Sequence, residues 1–375
     1  MTEQEIIEEL KKGTPFEGLS DISIVETQLE LPLGARFADP GSRPDVVLRL
    51  DFGGVLMTVY GEVKTRVTPK LLKQVGPWLA RVKTLNPAET YALICPFLSP
   101  ASQQYCQENK IDFIDLCGNV LLRFPSKILI QRLNRPNIYR ERQLFRNPFG
   151  GASSRVVRVL LQFPNRAWAV TAIEKELNQE SERQNRGKVF QLSVSSISKT
   201  IQSLEEELLI RRDGLQIVVP EPRQVLFRWA DKYRDRYKWG RRSSWTCENP
   251  FGFDLQSSIK ELQSQFRDLD FAVTGSAAAN LIAPFVNIDR IDVFIIQNSS
   301  SEALRTFKSV RSVGPDFLFM YPYDVGVFMY ARKINGLTVV SDIQAYLDCY
   351  ARGGRDTKQA DYLLSNVIEK QWNKI

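Results

Sequence analysis

The chain has 375 residues, 43% of them hydrophobic, and a formal net charge of +7, which gives room for two or three cores and favours an anionic partner, nucleic acid ahead of membrane. It contains no histidine, which excludes Ser-His-Asp and Cys-His catalysis and the histidine ligands of zinc enzymes. Its five cysteines form no C-x-x-C pair and no G-x-x-x-x-G-K-[ST] loop is present, so a disulfide framework, a zinc site and a P-loop are not expected either.

Val46 to Phe52 is predicted as a strand and Val55 to Lys64 as the next, joined by Gly53-Gly54. A Gly-Gly loop is a favoured hairpin turn because both residues accept positive φ. It sets Phe52 opposite Val55, and counting back sets Asp45 opposite Glu62, with Cβ atoms about 4.5 to 5.5 Å apart. Alternation puts Lys64 on that same face. It puts Val46, Leu48, Leu50, Phe52, Val55, Met57, Val59 and Val63 on an apolar core face. Two carboxylates so close repel unless a cation lies between them, and a hard divalent ion with oxygen ligands, Mg²⁺ or Mn²⁺, is the natural occupant. Asp45 and Glu62 are therefore the candidate metal ligands. Asp45, Glu62 and Lys64 are the candidate catalytic residues, Lys64 to position a water or offset charge on a phosphate. The competing reading is a solvated Glu-x-Lys pair on an exposed strand, beside an ordinary Pro-Asp turn.

Pro44-Asp45 followed by Glu62-Val63-Lys64 resembles the PD-(D/E)XK nuclease superfamily. Downstream, Thr68 to Lys83 is predicted as a helix, Tyr91 to Pro96 as a buried strand, Ser99 to Asn109 as a helix and Phe113 to Leu116 as a strand. The resemblance implies a restriction-endonuclease-like domain over residues 1–135. It also implies a further acid near the first helix, for which Glu8, Glu9, Glu26 and Glu30 are the candidates.

Residues 136–151 read as an arginine-rich linker. Arg132, Arg135, Arg140, Arg142, Arg146, Arg155 and Arg158 have only Glu141 as counter-charge in this stretch, with Pro136, Pro148, Gly150 and Gly151 as breakers. Such a run is either a solvated connector or a track for a phosphate backbone.

Residues 152–240 carry the order of a winged helix-turn-helix. Ser153 to Phe163 and Val170 to Leu177 are predicted helices, followed by a polar segment from Asn178 to Gln191 that is long for the motif. The candidate recognition helix runs from Ser193, its cap, to Ile210, with Val194, Ile197, Ile201, Leu204 and Leu208 inward. Ser195, Ser196, Lys199 and Gln202 point outward, as suits phosphates and base edges. Arg211-Arg212-Asp213-Gly214 turns into Leu215 to Val219 as a wing, with Arg211 and Arg212 within reach of phosphate or minor groove. Beyond it, Phe227, Trp229 and Tyr233 are expected to dock a helix on the core.

Residues 249–375 read as a third, nucleotidyltransferase-like α/β domain. A strand at Phe271, the Gly275-Ser276 turn and a small-residue helix precede a strand at Ile291 to Ile296. Arg290 stands where the first aspartate of an Asp-x-Asp pair belongs and only Asp292 remains, so two-metal transfer is not expected.

The segments VTGSAAANLIAPF and DIQAYLDCYARGGRDTKQADYLL, with the winged helix, resemble the AbiEi-like antitoxins of type IV toxin-antitoxin systems. IDFIDLCGNVLLRF resembles the end of the nuclease-like module of some relatives. The resemblance implies an α/β multidomain transcriptional regulator that binds operator DNA and opposes a nucleotidyltransferase toxin. Expected partners are double-stranded DNA, that toxin and a second copy of the chain. No membrane partner is expected, because no long apolar run or leader segment is seen, and the expected location is the cytoplasm. The alternative is a Mg²⁺-dependent DNA endonuclease of phage defence, targeted by its winged helix.

Overall fold

A computed structural model describes residues 1–19, 21–29, 44–85, 88–139, 147–240, 244–251, 254–266, 268–297, 302–304 and 314–374. The chain packs as two compact units, Met1–Leu144 with Glu206–Leu208, and Phe145–Glu205 with Leu209–Ile375. Both are α/β. Among the described residues no helix is long and apolar enough to cross a membrane.

The first unit is built on a curled mixed sheet of β1 (Ile22–Gln28), β2 (Val46–Phe52), β3 (Val55–Val63), β4 (Thr90–Cys95), β5 (Asp112–Asp115), β6 (Val120–Arg123) and β7 (Leu129–Arg132), hydrogen-bonded in that order. The central pairs β3–β4 and β4–β5 are parallel and the flanking pairs antiparallel. Gly53 and Gly54 both adopt positive φ, 58° and 88°, and the hairpin pairs Phe52 with Val55 as the two-glycine loop predicts. Helix α1 (Glu3–Lys11) is closed by a Thr2–Glu5 capping box. Its Ile6 and Leu10 cover one sheet face, packing with Val46, Leu48, Leu50, Met57, Val59 and Val63. Phe52 is only half-buried. Val55 shares the register of that face but is 50% exposed, because it stands at the hairpin end, beyond the core. The opposite face carries α2 (Pro69–Leu85) and α3 (Pro100–Glu108), whose Leu72, Leu79, Val82 and Cys106 pack on Tyr91, Leu93, Phe113 and Leu121. β4 is buried along its whole length, which explains its uninterrupted apolar run.

The second unit begins with α4 (Ser154–Gln162), α5 (Val170–Arg183) and α6 (Val194–Glu206). The polar stretch after Leu177 is largely helix. α5 continues to Arg183 because Glu176, Glu180 and Arg183 satisfy one another along its face. α6 ends four residues earlier than expected. The chain turns at Leu208, φ 58°, which brings Leu209 and Ile210 into the core instead. A short hairpin follows, β8 (Arg211–Asp213) with β9 (Gln216–Val218), around Gly214 at φ 59°. Trp168, between α4 and α5, adds a single bridge to Ile217 on β9. α7 (Pro222–Gly240) buries Trp229 and Tyr233, whereas Phe227 is 38% exposed rather than docked.

A second mixed sheet completes the unit, ordered β10 (Ser244–Cys247), β13 (Asp316–Met320), β12 (Arg290–Ile295), β11 (Phe271–Thr274), β15 (Leu337–Val339) and β14 (Arg332–Ile334). Helices α8 (Leu255–Gln265), α9 (Gly275–Ile282), α10 (Asp342–Arg352) and α11 (Arg355–Leu363) accompany it. One continuous core joins α4 to α7 with this sheet, from Leu160, Ile201 and Trp229 through Phe319 and Val273 to Tyr346.

Candidate functional site

The β2–β3 pairing ends at Val46–Gly61, and Asp45, in a bend just before β2, bonds to Gly61 rather than pairing with Glu62 as the hairpin count predicts, a shift of one residue at the mouth of the pair. Asp45 donates its backbone N–H to the Gly61 carbonyl at 2.9 Å. Its Oδ2 accepts the Val63 N–H at 2.7 Å, which ties the carboxylate to the same short segment that carries Glu62. Lys64 Nζ lies 2.5 Å from Glu62 Oε1 and 3.2 Å from the Val63 carbonyl. The Lys64 backbone N–H is anchored to Ile94 at 2.8 Å. The Asp45 carboxylate is thus tied to the segment that carries the Glu62–Lys64 pair. Asp45 is exposed, and the Glu62 and Lys64 side chains are 18% and 29% exposed, so the group opens to solvent. Gly61 makes this register possible: a Cβ there would lie 2.4 Å from Ile94 Cδ1 and 2.7 Å from Val46 Cγ1.

The two carboxylates fit a hard divalent cation, since Mg²⁺ is commonly held by one or two carboxylates with water completing its shell. Among the described residues no group of three acidic, cysteine or histidine side chains is arranged to hold a metal. Glu8 and Glu9 sit on α1 and pair with Lys11 and Lys12. Glu26 stands opposite Arg49 and pairs with it at 3.1 Å, four residues along β2 from Asp45, or about 13 Å. Glu30 lies outside the described residues.

On α6 the predicted outward residues are outward. Ser195, Lys199 and Gln202 are exposed and Ser196 half-buried, while Ile197, Ile201 and Leu204 are fully buried. Ser193 caps the helix, its Oγ accepting the Ser196 N–H at 3.2 Å. The buried hydroxyls of Thr200 and Ser203 donate to the carbonyls one turn back, so neither leaves an unmet donor. Val194, assigned inward by periodicity, is 43% exposed, because the first turn stands clear of the core. Arg211 and Arg212 are exposed on β8. Arg212 reaches back to Glu205 at 3.0 Å and neutralises the first acid on the helix face. Leu215, at the hairpin tip, is 91% exposed, a feature that the strand pattern of Leu215 to Val219 concealed.

The arginines of the expected linker separate. Arg140, Arg142, Arg146 and Glu141 lie outside the described residues. Arg132 donates to the carbonyls of Gly118, Glu17 and Pro15. Arg155 grips Asp324 through two bonds of 2.9 and 2.8 Å, and Arg158 is 2% exposed, bonded to Gln344 at 2.6 Å and stacked on Trp229. These three brace the fold rather than face a partner.

In the second sheet Gly275 takes φ 59° opposite Asp292, whose Oδ2 would lie 3.0 Å from a Cβ there. Arg290 clasps Asp292 at 2.5 and 3.0 Å. Arg352 bridges Ser276, Asp289 and Asp356, and Arg355 adds a second bond to Asp289. Burial works against the Asp289 charge, but Arg352 and Arg355 outweigh it and hold its carboxyl below the usual range. Sequence reading missed this cluster, since its members are spread over some eighty residues. Where the nucleotidyltransferase resemblance would seat metal ions, guanidinium groups occupy the carboxylates, so the residues present do not fit a two-metal centre. Deeper in the core, Asp348 accepts from Tyr233 at 2.5 Å, from Gln344 at 2.7 Å and from Thr274. Burial outweighs those bonds and pushes its carboxyl up to about 6.

Comparison with protein-family models, curated proteins and solved structures found no match to this chain.

Proposed function

We propose that the protein is a DNA-binding regulator of AbiEi type, contacting duplex DNA through a winged helix formed by α4, the Trp168 bridge, α5, α6 and the β8–β9 hairpin. The observation that carries this reading is the outer face of α6. Ser195, Lys199 and Gln202 stand on it with no acid before the last turn, where Glu205 is paired with Arg212, and the same unit presents Arg211 on the adjacent hairpin. Hydroxyl, ammonium, amide and guanidinium groups are the donors that phosphates and base edges take, and a net charge of +7 favours the encounter. Opposition to a nucleotidyltransferase toxin follows from the AbiEi resemblance alone. The test is fluorescence anisotropy with the full chain and a random-sequence duplex pool. Salt-dependent binding is the expected result, and absence of binding at low salt would overturn it.

A second reading is supported by a separate observation, the tethering of the Asp45 carboxylate to the Val63 N–H, between Glu62 and its ion-pair partner Lys64. The antiparallel hairpin followed by parallel β4 and β5, with helices on both faces, matches the order expected of a PD-(D/E)XK core. Asp45 and Glu62 would hold Mg²⁺ or Mn²⁺, which when bound stabilises charge on a phosphate and acidifies a water. Lys64 would shield phosphate charge and hold the water by its ammonium group, and Val63 N–H fixes the Asp45 carboxylate for that task. Incubating plasmid and linear DNA with the protein in either metal, beside Glu62→Ala, decides it: cleavage by the parent alone supports an endonuclease, and none in either metal removes the reading.

A further inference from the structure

The exposed face of the first three turns of α6 is poor in the groups that read guanine and cytosine. At about 100° per residue, Val194, Ser198, Gln202, Ser195 and Lys199 fall in sequence across an arc of about 140°, and the buried Ile197, Thr200, Ile201, Ser203 and Leu204 fill the rest. No arginine, the commonest bidentate partner of guanine, lies on that arc, and its two acids, the acceptors for cytosine, are confined to the last turn, where Glu205 pairs with Arg212 and Glu206 accepts from Thr68. Gln202 carries its one side-chain amide, and an amide pairs bidentately with the N6 and N7 edge of adenine. Val194, 43% exposed, offers an apolar surface of the kind that meets a thymine methyl. Lys199 lies at the rim of the arc, where the backbone rather than the base edge comes closest.

The hairpin tip is the second observation. Leu215 is 91% exposed, more than any other large apolar side chain described. It follows Gly214, which alone of the two loop residues has positive φ, as a type II′ hairpin requires. Neither turn geometry nor packing calls for leucine there. Arg211, exposed on the strand leading to it, supplies charge beside an apolar wedge. Arginine with an inserted apolar side chain is the chemistry of minor-groove recognition at narrow, easily unstacked A·T-rich steps.

We infer that this unit recognises A·T-rich duplex DNA, with Gln202 and Val194 reading the major groove and Leu215 with Arg211 entering the adjacent minor groove. This rests on the proposed DNA-binding function and names its substrate class.

Three duplexes of equal length separate the two grooves: A·T-rich, G·C-rich, and the G·C-rich sequence with inosine for guanine. Inosine·cytosine keeps the major-groove edge of G·C but lacks the N2 amino group, so its minor groove resembles that of A·T. At fixed salt, anisotropy titration of the full chain should rank them A·T, then inosine·cytosine, then G·C, with about tenfold between the extremes. Gln202→Ala should close the gap between A·T and inosine·cytosine. Leu215→Ser should close the gap between inosine·cytosine and G·C. Lys199→Ala should weaken all three alike. Both specificity residues are exposed, and a thermal melt of each variant confirms that it is folded. Equal affinity for the three duplexes, or preference for G·C, would overturn the inference while leaving DNA binding intact. A Gln202 or Leu215 variant that keeps the parent's ranking would overturn the role given to that residue. Failure to bind any duplex at low salt would instead remove the functional reading beneath it.

Discussion

Arg290 and Asp292, two residues apart on β12, form a two-bond ion pair of 2.5 and 3.0 Å around a carboxylate that is 2% exposed. Arg290 thus occupies the carboxylate that an Asp-x-Asp pair would offer to a metal. The pairing also makes each partner dependent on the other. A buried charge stripped of its counter-ion is far costlier than the pair itself is worth.

Arg290→Ala should therefore lower unfolding stability by about 3 to 5 kcal/mol. Adding Asp292→Asn, which removes the stranded charge, should recover a large part of it. Urea denaturation of the two variants and the parent reads this directly, and a double variant no better than the single one would show that the loss is not electrostatic.

Gly61 is held between Val46 and Ile94, where a methyl group has no room. Gly61→Ala should cost about 1 to 3 kcal/mol, as overpacking a filled core does. Ile94→Val removes the atom that a new Cβ would meet at 2.4 Å, so the double variant should be more stable than the sum of the two single changes implies. Strict additivity in the denaturation midpoints would mean that the strand shifts rather than crowds.

Lys199 and Arg211 are assigned to phosphate and groove contacts, and each contact releases counter-ions. Lys199→Ala and Arg211→Ala should each reduce the slope of log affinity against log salt by about 1. Arg212→Ala should change it less, because Arg212 is engaged with Glu205. A slope unchanged in the first two variants would remove those residues from the interface.

The elements with strong local signals were legible in the sequence. Gly53-Gly54 determined the hairpin register as far as Val46–Gly61, but not the one-residue shift beyond it by which Asp45 bonds to Gly61 instead of pairing with Glu62. Ser193 and the spacing of Ile197, Ile201 and Leu204 determined the exposed face of α6. What escaped depended on packing partners distant in sequence. Val55 and Val194 satisfy their periodicity yet lie at element ends where no layer covers them. Arg155 and Arg158 read as surface charge until Asp324 and Gln344, more than 160 residues away, are brought against them. α5 outran its apolar pattern because three charged side chains satisfied one another on its last two turns. The buried polar group around Asp348 draws from four elements, α4, α7, β11 and α10, and no local pattern announces it.

That group makes the last prediction. The Asp348 carboxyl, raised to about 6 by burial against the bonds from Gln344, Thr274 and Tyr233, and by the nearby Asp292 charge, binds its proton more tightly in the folded chain than in the unfolded one, where an ordinary carboxyl titrates near 3.8. Between those values the folded state holds more protons, so this residue's contribution to stability falls as pH rises through the window, by on the order of 3 kcal/mol. Asp348→Asn keeps the shape and cannot ionise, and the Tyr233 hydroxyl can turn to accept from the new amide. Other titrating groups are common to both proteins and cancel in the difference. Urea denaturation from pH 4.5 to 7.5 should therefore show the variant gaining on the parent as pH rises toward and past 6. A difference that stays constant across that range would mean that Asp348 remains ionised throughout, its charge stabilised by the three groups bonded to it.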